Sequence, residues 1–315
     1  MEPLKRSNLK IICGGSNPEL TREICEYLGI EQTNTEMYHF ADGEFYVRIN
    51  ESVRGAHVFV IQPTCKPVND NLMKLLIIID AIKRASASKI TAVVPYYGYS
   101  RQEKKTQGRE PITAKLVANL IATAGANRII NVDLHESAIQ GFFDMPSDHI
   151  SAIPIIGEYF LNKNFKGPVV VVSPDAGGTP RARKLAKILL SELAIVDKRR
   201  PKPNMSTVMN IIGDVRGKTA ILIDDIVDTG GSMVKAAESL KEAGAVEVFG
   251  ACTHPVFSND AIEKIEKSCI KELIITNTIP VEKQIKKIKV LTIAPLLGEI
   301  IKRVYLDLSV SELFS

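Results

Sequence analysis

Two adjacent carboxylates, Asp224 and Asp225, stand at the end of the apolar run Ala220–Ile223, and Asp228-Thr229-Gly230-Gly231-Ser232 follows them. Met233, Val234, Ala236, Ala237 and Leu240 then recur at helical spacing, with Gly244 as a stop. The unit reads strand, paired acids, glycine turn, helix, with Ser232 as the N-cap. Such a turn aims backbone N–H groups and the positive end of a helix at one point, which suits a phosphate. The glycines let the backbone approach the anion closely, while Thr229 and Ser232 add hydroxyl donors. The two carboxylates would repel a phosphate, so they must meet another part of the same ligand: sugar hydroxyls or a hydrated divalent cation. A ligand with phosphate at one end and a diol at the other is a sugar phosphate. The plainer alternative is a helix cap with two solvated acids. Doubly wound folds bind ligands at the carboxyl ends of their strands, which favours the site.

A second stretch has the same design. Val169–Val172 is a continuous β-branched run, and it leads into Ser173-Pro174-Asp175-Ala176-Gly177-Gly178-Thr179-Pro180 and a helix from Arg181 to Leu190. Thr179 is expected as N-cap and Pro180 as the first helical residue. Two phosphate cradles in one domain call for two phosphorylated ligands, or one ligand with phosphate at both ends. Asp175 can hold a magnesium ion that bridges to the phosphates, and Arg181 and Arg183 reinforce the anion site if they point toward it. After the next strand come Lys198, Arg199 and Arg200, then Pro201 and Pro203. Prolines exclude a helix or a central strand there. The stretch is expected to be a mobile loop that closes over a polyphosphate and meets the charge developed in phosphoryl transfer.

In the first half, Tyr38–Phe45 mixes aromatics with two acids across a hairpin signal. Val93–Lys105 runs from a strand through Tyr96, Tyr97 and Tyr99 to Arg101, Gln102 and Lys104. The aromatics can stack on a purine, and the cations and amide can meet its phosphates or base edge; equally, the tyrosines can plug a domain surface. His135 falls just past a strand end. A lone His is usually a satisfied structural residue, and the zinc pattern HExxH is absent because Ile139 stands where the second His would be; if His135 binds metal, magnesium held with carboxylates or phosphates suits it better than zinc. Gly213–Thr219 imitates a Walker A loop but is one residue short and precedes a strand instead of following one. No GxGxxG dinucleotide fingerprint occurs.

The elements that must position these residues follow from an alternation of short apolar runs with helical patterns, which predicts an α/β chain of mainly parallel strands. Expected strands are 10–13, 46–49, 57–61, 90–94 and 128–132, with helices over 70–85 and 113–124; farther on lie strands at 247–251, 272–276 and 290–293 and a helix over 296–306. At 315 residues the chain divides into two domains, 1–150 and 151–315, with the crossing in Gly141–Pro154. A net charge of +4 makes no case for nucleic acid. Five scattered cysteines without CxxC spacing fit a reducing compartment. The strongest apolar run, Leu75–Ile79, meets Asp80 too soon to span a bilayer, and no signal-peptide core precedes it. The expectation is a cytoplasmic protein with no membrane segment.

Asp224–Ser232 resembles the ribose-5-phosphate loop of the phosphoribosyltransferase superfamily. From Ile12 to Ser315 the chain resembles one branch of it, the ribose-phosphate pyrophosphokinases. The resemblance implies two similar doubly wound domains and transfer of the β,γ-diphosphoryl group of ATP to the 1-hydroxyl of ribose 5-phosphate. It implies Phe40, Asp42 and Glu44 on the adenine side, Arg101 and Gln102 on ATP, and His135 and Asp175 on magnesium, two ions per site. It also implies Lys198 and Arg200 as the catalytic loop, and Asp224, Asp225, Asp228, Thr229, Gly230, Gly231 and Ser232 on ribose 5-phosphate. Arg54, Arg84, Ser309, Ser311 and Phe314 look like an allosteric site for phosphate and ADP near subunit contacts of a homo-hexamer. Three positions depart from the family pattern: Glu103 where Asp is usual, Gly108 where Ser is common and Ser232 where Thr is common. A phosphoribosyltransferase would share the ribose loop without needing the first half. A non-catalytic paralogue would tend to lose the Lys-Arg-Arg run.

Overall fold

The computed structural model describes residues 8–199, 208–281 and 285–311. The elements run β1 (Leu9–Cys13), α1 (Pro18–Leu28), β2 (Thr35–His39), β3 (Phe45–Ile49), β4 (His57–Ile61), α2 (Val68–Arg84), β5 (Lys89–Val94), α3 (Thr113–Ala124), β6 (Arg128–Val132), β7 (Ser147–Ile150) and α4 (Ile153–Leu161). They continue with β8 (Val169–Ser173), α5 (Thr179–Ile188), β9 (Glu192–Arg199), β10 (Val208–Ile212), β11 (Thr219–Val227), α6 (Gly231–Glu242), β12 (Glu247–Pro255), α7 (Ala261–Lys267), β13 (Leu273–Thr276), β14 (Ile288–Leu291) and α8 (Ala294–Tyr305). The fold is α/β with two compact units.

The first unit holds the described residues up to Ile150, together with Thr278–Pro280 and the segment from Thr292 onward. The expected boundary at 150 therefore marks only one crossing, because the C-terminal helix α8 returns to the first unit. Its core sheet has the order β1-β4-β5-β6-β7, parallel throughout. β7 lies inside the stretch expected to be a crossing. β2 and β3 form a separate antiparallel hairpin whose Met37, Phe45, Val47 and Ile49 lie on the core. Strand β4 is buried at every position, as its unbroken apolar sequence requires in a sheet covered on both faces.

The second unit is a seven-stranded sheet in the order β10-β9-β8-β11-β12-β13-β14. Its pairs are parallel except β9 with β10, which form an antiparallel pair at one edge. β8 and β11 are neighbours, with Val169 opposite Thr219 and Val172 opposite Leu222. β11 runs longer than expected, through both acids to Val227, and pairs with β12 as far as Pro255. Its side chains are buried without a break from Thr219 to Ile223; beyond that, Asp224 and Ile226 are half-buried while Asp225 and Val227 are buried. The strand thus passes from a two-sided core into the rim where the acids stand.

Leu222, fully buried where β11 meets β8, is the side chain on which this rim rests. Leu222→Ala should cost about 2–5 kcal/mol in the unfolding free energy of the second unit, as cavity-forming core substitutions do. Denaturant titration followed by circular dichroism would measure it.

Candidate active site

In the second unit both glycine turns emerge at the carboxyl ends of the neighbouring strands β8 and β11. After β8, Ser173 Oγ donates to the Asp175 carbonyl at 2.6 Å, and Gly178 N donates to Asp175 Oδ1 at 2.9 Å. The carboxylate of Asp175 therefore braces its own turn while remaining exposed. A Cβ on Gly178 would fall 2.7 Å from Ser173 Oγ, so this tight turn admits only glycine without a shift. Gly178, not Thr179, is the N-cap of α5; Thr179 is already helical, and its hydroxyl donates to the Ala176 carbonyl at 2.8 Å.

After β11 the chain turns at Gly230, which adopts φ +73°, a conformation glycine reaches without strain, and caps α6. Ser232, expected as the cap, lies inside the first turn of α6 and is exposed. The first-turn N–H groups of α6 have no intrahelical acceptor by the geometry of a helix start. They are flanked by the exposed Thr229 and the half-buried Asp228, whose carbonyl accepts from Ser258 N at 2.9 Å.

The acids are not solvated. Asp225 is 3 % exposed. Asp224 turns its Oδ1 back to accept the N–H of Asp225 at 2.9 Å. Arg181, in the first turn of α5, lies 3.6 Å from Asp224 Oδ1 and 3.4 Å from Asp225 Oδ1. It points at the acid pair, where an anion-binding role had been expected for it. Burial first, and then the neighbouring charge of Asp225, raise the Asp224 carboxyl from 3.8 to about 7, with Arg181 opposing the rise.

In the first unit the segment after β5 forms a cavity of about 320 Å³ lined by Val68, Asn69, Tyr96, Tyr99, Arg101 and Gln102. Arg101 and Gln102, expected on ATP, both line this cavity. Gln102 Oε1 accepts from the Thr113 hydroxyl at 2.6 Å, which ties it to the start of α3. Of the three tyrosines, Tyr97 belongs to the core: it is 2 % exposed, its hydroxyl donates to the Ala114 carbonyl at 2.8 Å, and its ring meets Phe143 edge-on. Tyr99 adopts φ +67° and its hydroxyl bonds Asn69 at the start of α2. Sequence reading missed Val68 and Asn69, because a helix start carries no sign of which loop it faces. His135 follows β6, the strand beside β5, and is half-buried on the same carboxyl edge as Arg101. Phe40, Asp42 and Glu44 lie exposed at the tip of the β2–β3 hairpin, where Glu44 N donates to Asp42 Oδ1 at 3.0 Å and Phe40 packs on Tyr38 and Tyr46.

Arg54 and Arg84 sit at the amino-terminal edge of the first unit's sheet, where Gly55 N donates to the Ser86 carbonyl at 2.9 Å. Arg84 is exposed and pairs with Asp80 at 2.7 Å. The Ser309 and Ser311 hydroxyls lie 2.9 Å apart, and Arg303 holds the Ser309 carbonyl at 2.7 Å. Lys198 lies in β9 opposite Met209, so the cationic run begins inside a strand and not after it. Arg200 and Phe314 fall outside the described residues. Among the described residues no group of three or more His, Cys, Asp or Glu forms a ready metal cage, and no helix is long and apolar enough to cross a membrane.

The chain matches known proteins over both units. Residues 9–125 match the N-terminal domain of ribose phosphate pyrophosphokinase, and residues 169–315 match the phosphoribosyl synthetase-associated domain. A ribose-phosphate pyrophosphokinase of Caldanaerobacter subterraneus subsp. tengcongensis is 57% identical over 311 residues, covering 98% of each chain. The chain belongs to the ribose-phosphate pyrophosphokinase family. That of Bacillus subtilis is 55% identical over 310 residues, again covering 98% of each chain. The crystal structure of phosphoribosylpyrophosphate synthetase from Mycobacterium smegmatis superposes with a TM-score of 0.91 at 44% identity, covering 96% of this chain and 100% of that one.

The raised carboxyl has a consequence for stability that this family's fold must carry. Between the ordinary value of 3.8 and about 7 the folded chain keeps a proton on the pair that the unfolded chain has released. Its contribution to stability therefore declines as pH rises through that window and levels off above it. Asp224→Asn lacks this decline, so its stability should exceed that of the parent by on the order of 2 kcal/mol at pH 8, with the margin shrinking toward pH 5. Paired thermal denaturation at the two pH values checks it.

Proposed function

We propose that the second unit binds ribose 5-phosphate through the loop after β11 and that the first unit binds ATP through the cavity after β5. The chemistry is the family's: the 1-hydroxyl of ribose 5-phosphate attacks the β-phosphorus of ATP, and the bond from that phosphorus to the α,β-bridging oxygen breaks. The hydroxyl proton is lost, and the products are phosphoribosyl pyrophosphate and AMP. The observation that carries the residue assignment is the pair of glycine cradles on the adjacent parallel strands β8 and β11, with the half-buried Asp224 and the buried Asp225 at the end of β11.

Asp224 and Asp225 accept hydrogen bonds from the 2- and 3-hydroxyls, which fixes the pentose by its edge. The first-turn N–H groups of α6, with Asp228, Thr229, Gly230, Gly231 and Ser232, surround the 5-phosphate. Ser232 retains a hydroxyl where its relatives carry Thr, so the donor survives. The turn after β8 takes the diphosphoryl group. In the first unit Arg101 and Gln102 hold the nucleotide, with Phe40, Asp42 and Glu44 on the adenine side. Holding each substrate in line reduces the entropy cost of the encounter, the principal term when no covalent intermediate forms.

His135 in the first unit and Asp175 in the second would each contact magnesium, two ions per site. The exposed carboxylate of Asp175 offers a hard oxygen, and magnesium completes its shell with water and substrate phosphates. When bound it neutralises the triphosphate and orders its oxygens. Lys198 and Arg200 supply positive charge where it develops in the transition state. Arg54, Arg84, Ser309, Ser311 and Phe314 serve a regulatory site for phosphate and ADP in a cytoplasmic homo-hexamer.

Lys198→Ala should lower kcat by roughly 10²-fold or more, as loss of one transition-state donor does, with a smaller change in KM; unchanged turnover would remove the residue from the mechanism. Isotope placed in the β-phosphate of ATP should be recovered in the sugar product. Its retention in the nucleotide, as ADP, would exclude diphosphoryl transfer.

A further inference from the structure

Arg181 is set in α5, the helix that begins after one cradle, yet its guanidinium reaches the acids beside the other. Alternation along β11 would send Asp224 and Asp225 to opposite faces of the strand. Their carboxylates nevertheless converge, because Asp224 folds back onto the N–H of Asp225 and the two lie 3.6 Å and 3.4 Å from the Arg181 guanidinium. The side chains of Arg181 and Asp225 retain only 15% and 5% exposure. A cation so placed has its charge engaged before any phosphate arrives. Both separations exceed an ordinary N–H···O contact, so the ion pair is adjustable and not a locked fork.

We propose that Arg181 is the positioning residue of the sugar subsite: it draws both carboxylates together and keeps them as acceptors for the ribose hydroxyls, and in doing so ties the turn after β8 to the turn after β11. This rests on the reading of Asp224 and Asp225 as ligands of the diol. Two neighbouring carboxylates in a poorly solvated strand end share a proton unless a cation offsets their repulsion. Several groups among the described residues face them. Cys252 lies opposite Asp224 on β12 as a thiol pushed upward chiefly by burial, His254 lies opposite Ile226, Asp228 follows on the same loop, and Arg181 reaches across from α5. The upward displacement of Asp224, which Arg181 opposes, agrees with this division of labour. Both contacts run from one nitrogen, Nη1, so it is the charge between the carboxylates, not a bidentate fork, that the place requires.

The test uses full-length Arg181→Gln and Arg181→Lys. Arg181→Gln should lower kcat/KM for ribose 5-phosphate about tenfold or more near pH 7, the effect of roughly one unit in the acid pair. The deficit should shrink as the pH is raised to about 9, since the acids then ionise without the arginine. KM for ATP should stay within about twofold, and Arg181→Lys should recover most of the loss because it restores the charge. Thermal midpoints give a reading independent of turnover. Arg181→Gln should fold normally near pH 5.5, where the pair carries a proton, and lose stability more steeply than the parent toward pH 9. A deficit equal at every pH, no deficit, or parallel stability curves would overturn the proposal. Asp225→Asn separates the two layers. If it leaves the sugar KM unchanged, the diol reading fails and this inference with it. If it raises the sugar KM while Arg181→Gln leaves the pH profile in place, only the role of Arg181 is lost.

Discussion

The parallel pairing of β8 with β11 is the contact on which the rest of the second unit's chemistry depends. Because Val172 stands opposite Leu222, β11 outruns β8 and carries Asp224 and Asp225 alongside the turn that leaves β8. A slip of one residue would send each acid to the other face of the sheet. The register is secured by side chains buried on both faces, Val170, Val172, Ala220 and Leu222 on one and Val171 and Ile221 on the other, all fully buried. Each such residue contributes about 1–3 kcal/mol by burial. The hydrophobic contribution is thus spent on alignment as much as on stability, and polar groups at the rim inherit their positions from it.

At that rim the preferences of folding and of ligand binding conflict. Burying Asp225 beside Asp224 disfavours the doubly charged state, and one arginine offsets only part of the cost. A chain selected for stability alone would place an amide or an aliphatic residue there. The glycine turns follow the same logic, since Gly230 at positive φ gives up chain entropy to open a path to the first turn of α6. The first unit shows a parallel case, with the bulky Tyr99 held in a left-handed conformation beside the cavity that it lines.

Much of this frame was legible in the residues. Strands His57–Ile61 and Arg128–Val132 and the helix Thr113–Ala124 fall where periodicity puts them, because each is bounded by clear turn formers. What was hidden depended on tertiary partners. Gly178 and Gly230 displaced the hydroxyl caps because a turn braced by Asp175, or by positive φ, outranks a side-chain cap. Tyr97 could be read either as stacking on a purine or as plugging a surface, and its commitment to the core runs through Ala114 and Phe143, neither of which is adjacent in sequence. Arg181 read as an anion donor, since nothing in a linear chain reveals that α5 overlies the acids of a strand some forty residues away. The antiparallel edge pair of β9 and β10 was obscured by the cations and prolines between them.

The return of α8 to the first unit ties the end of the polypeptide to its beginning. Tyr27 of α1 donates to Glu299 at 3.2 Å, its ring occupies the space a Cβ on Gly298 would need, and α8 buries Leu297, Ile300, Ile301 and Val304. On the ribosome, therefore, the apolar flank of α1 stays uncovered while the whole second unit is being translated. The first unit cannot complete this packing until α8 has been made, so a chain stopped before α8 would leave that flank facing water, the kind of exposed apolar surface that invites aggregation.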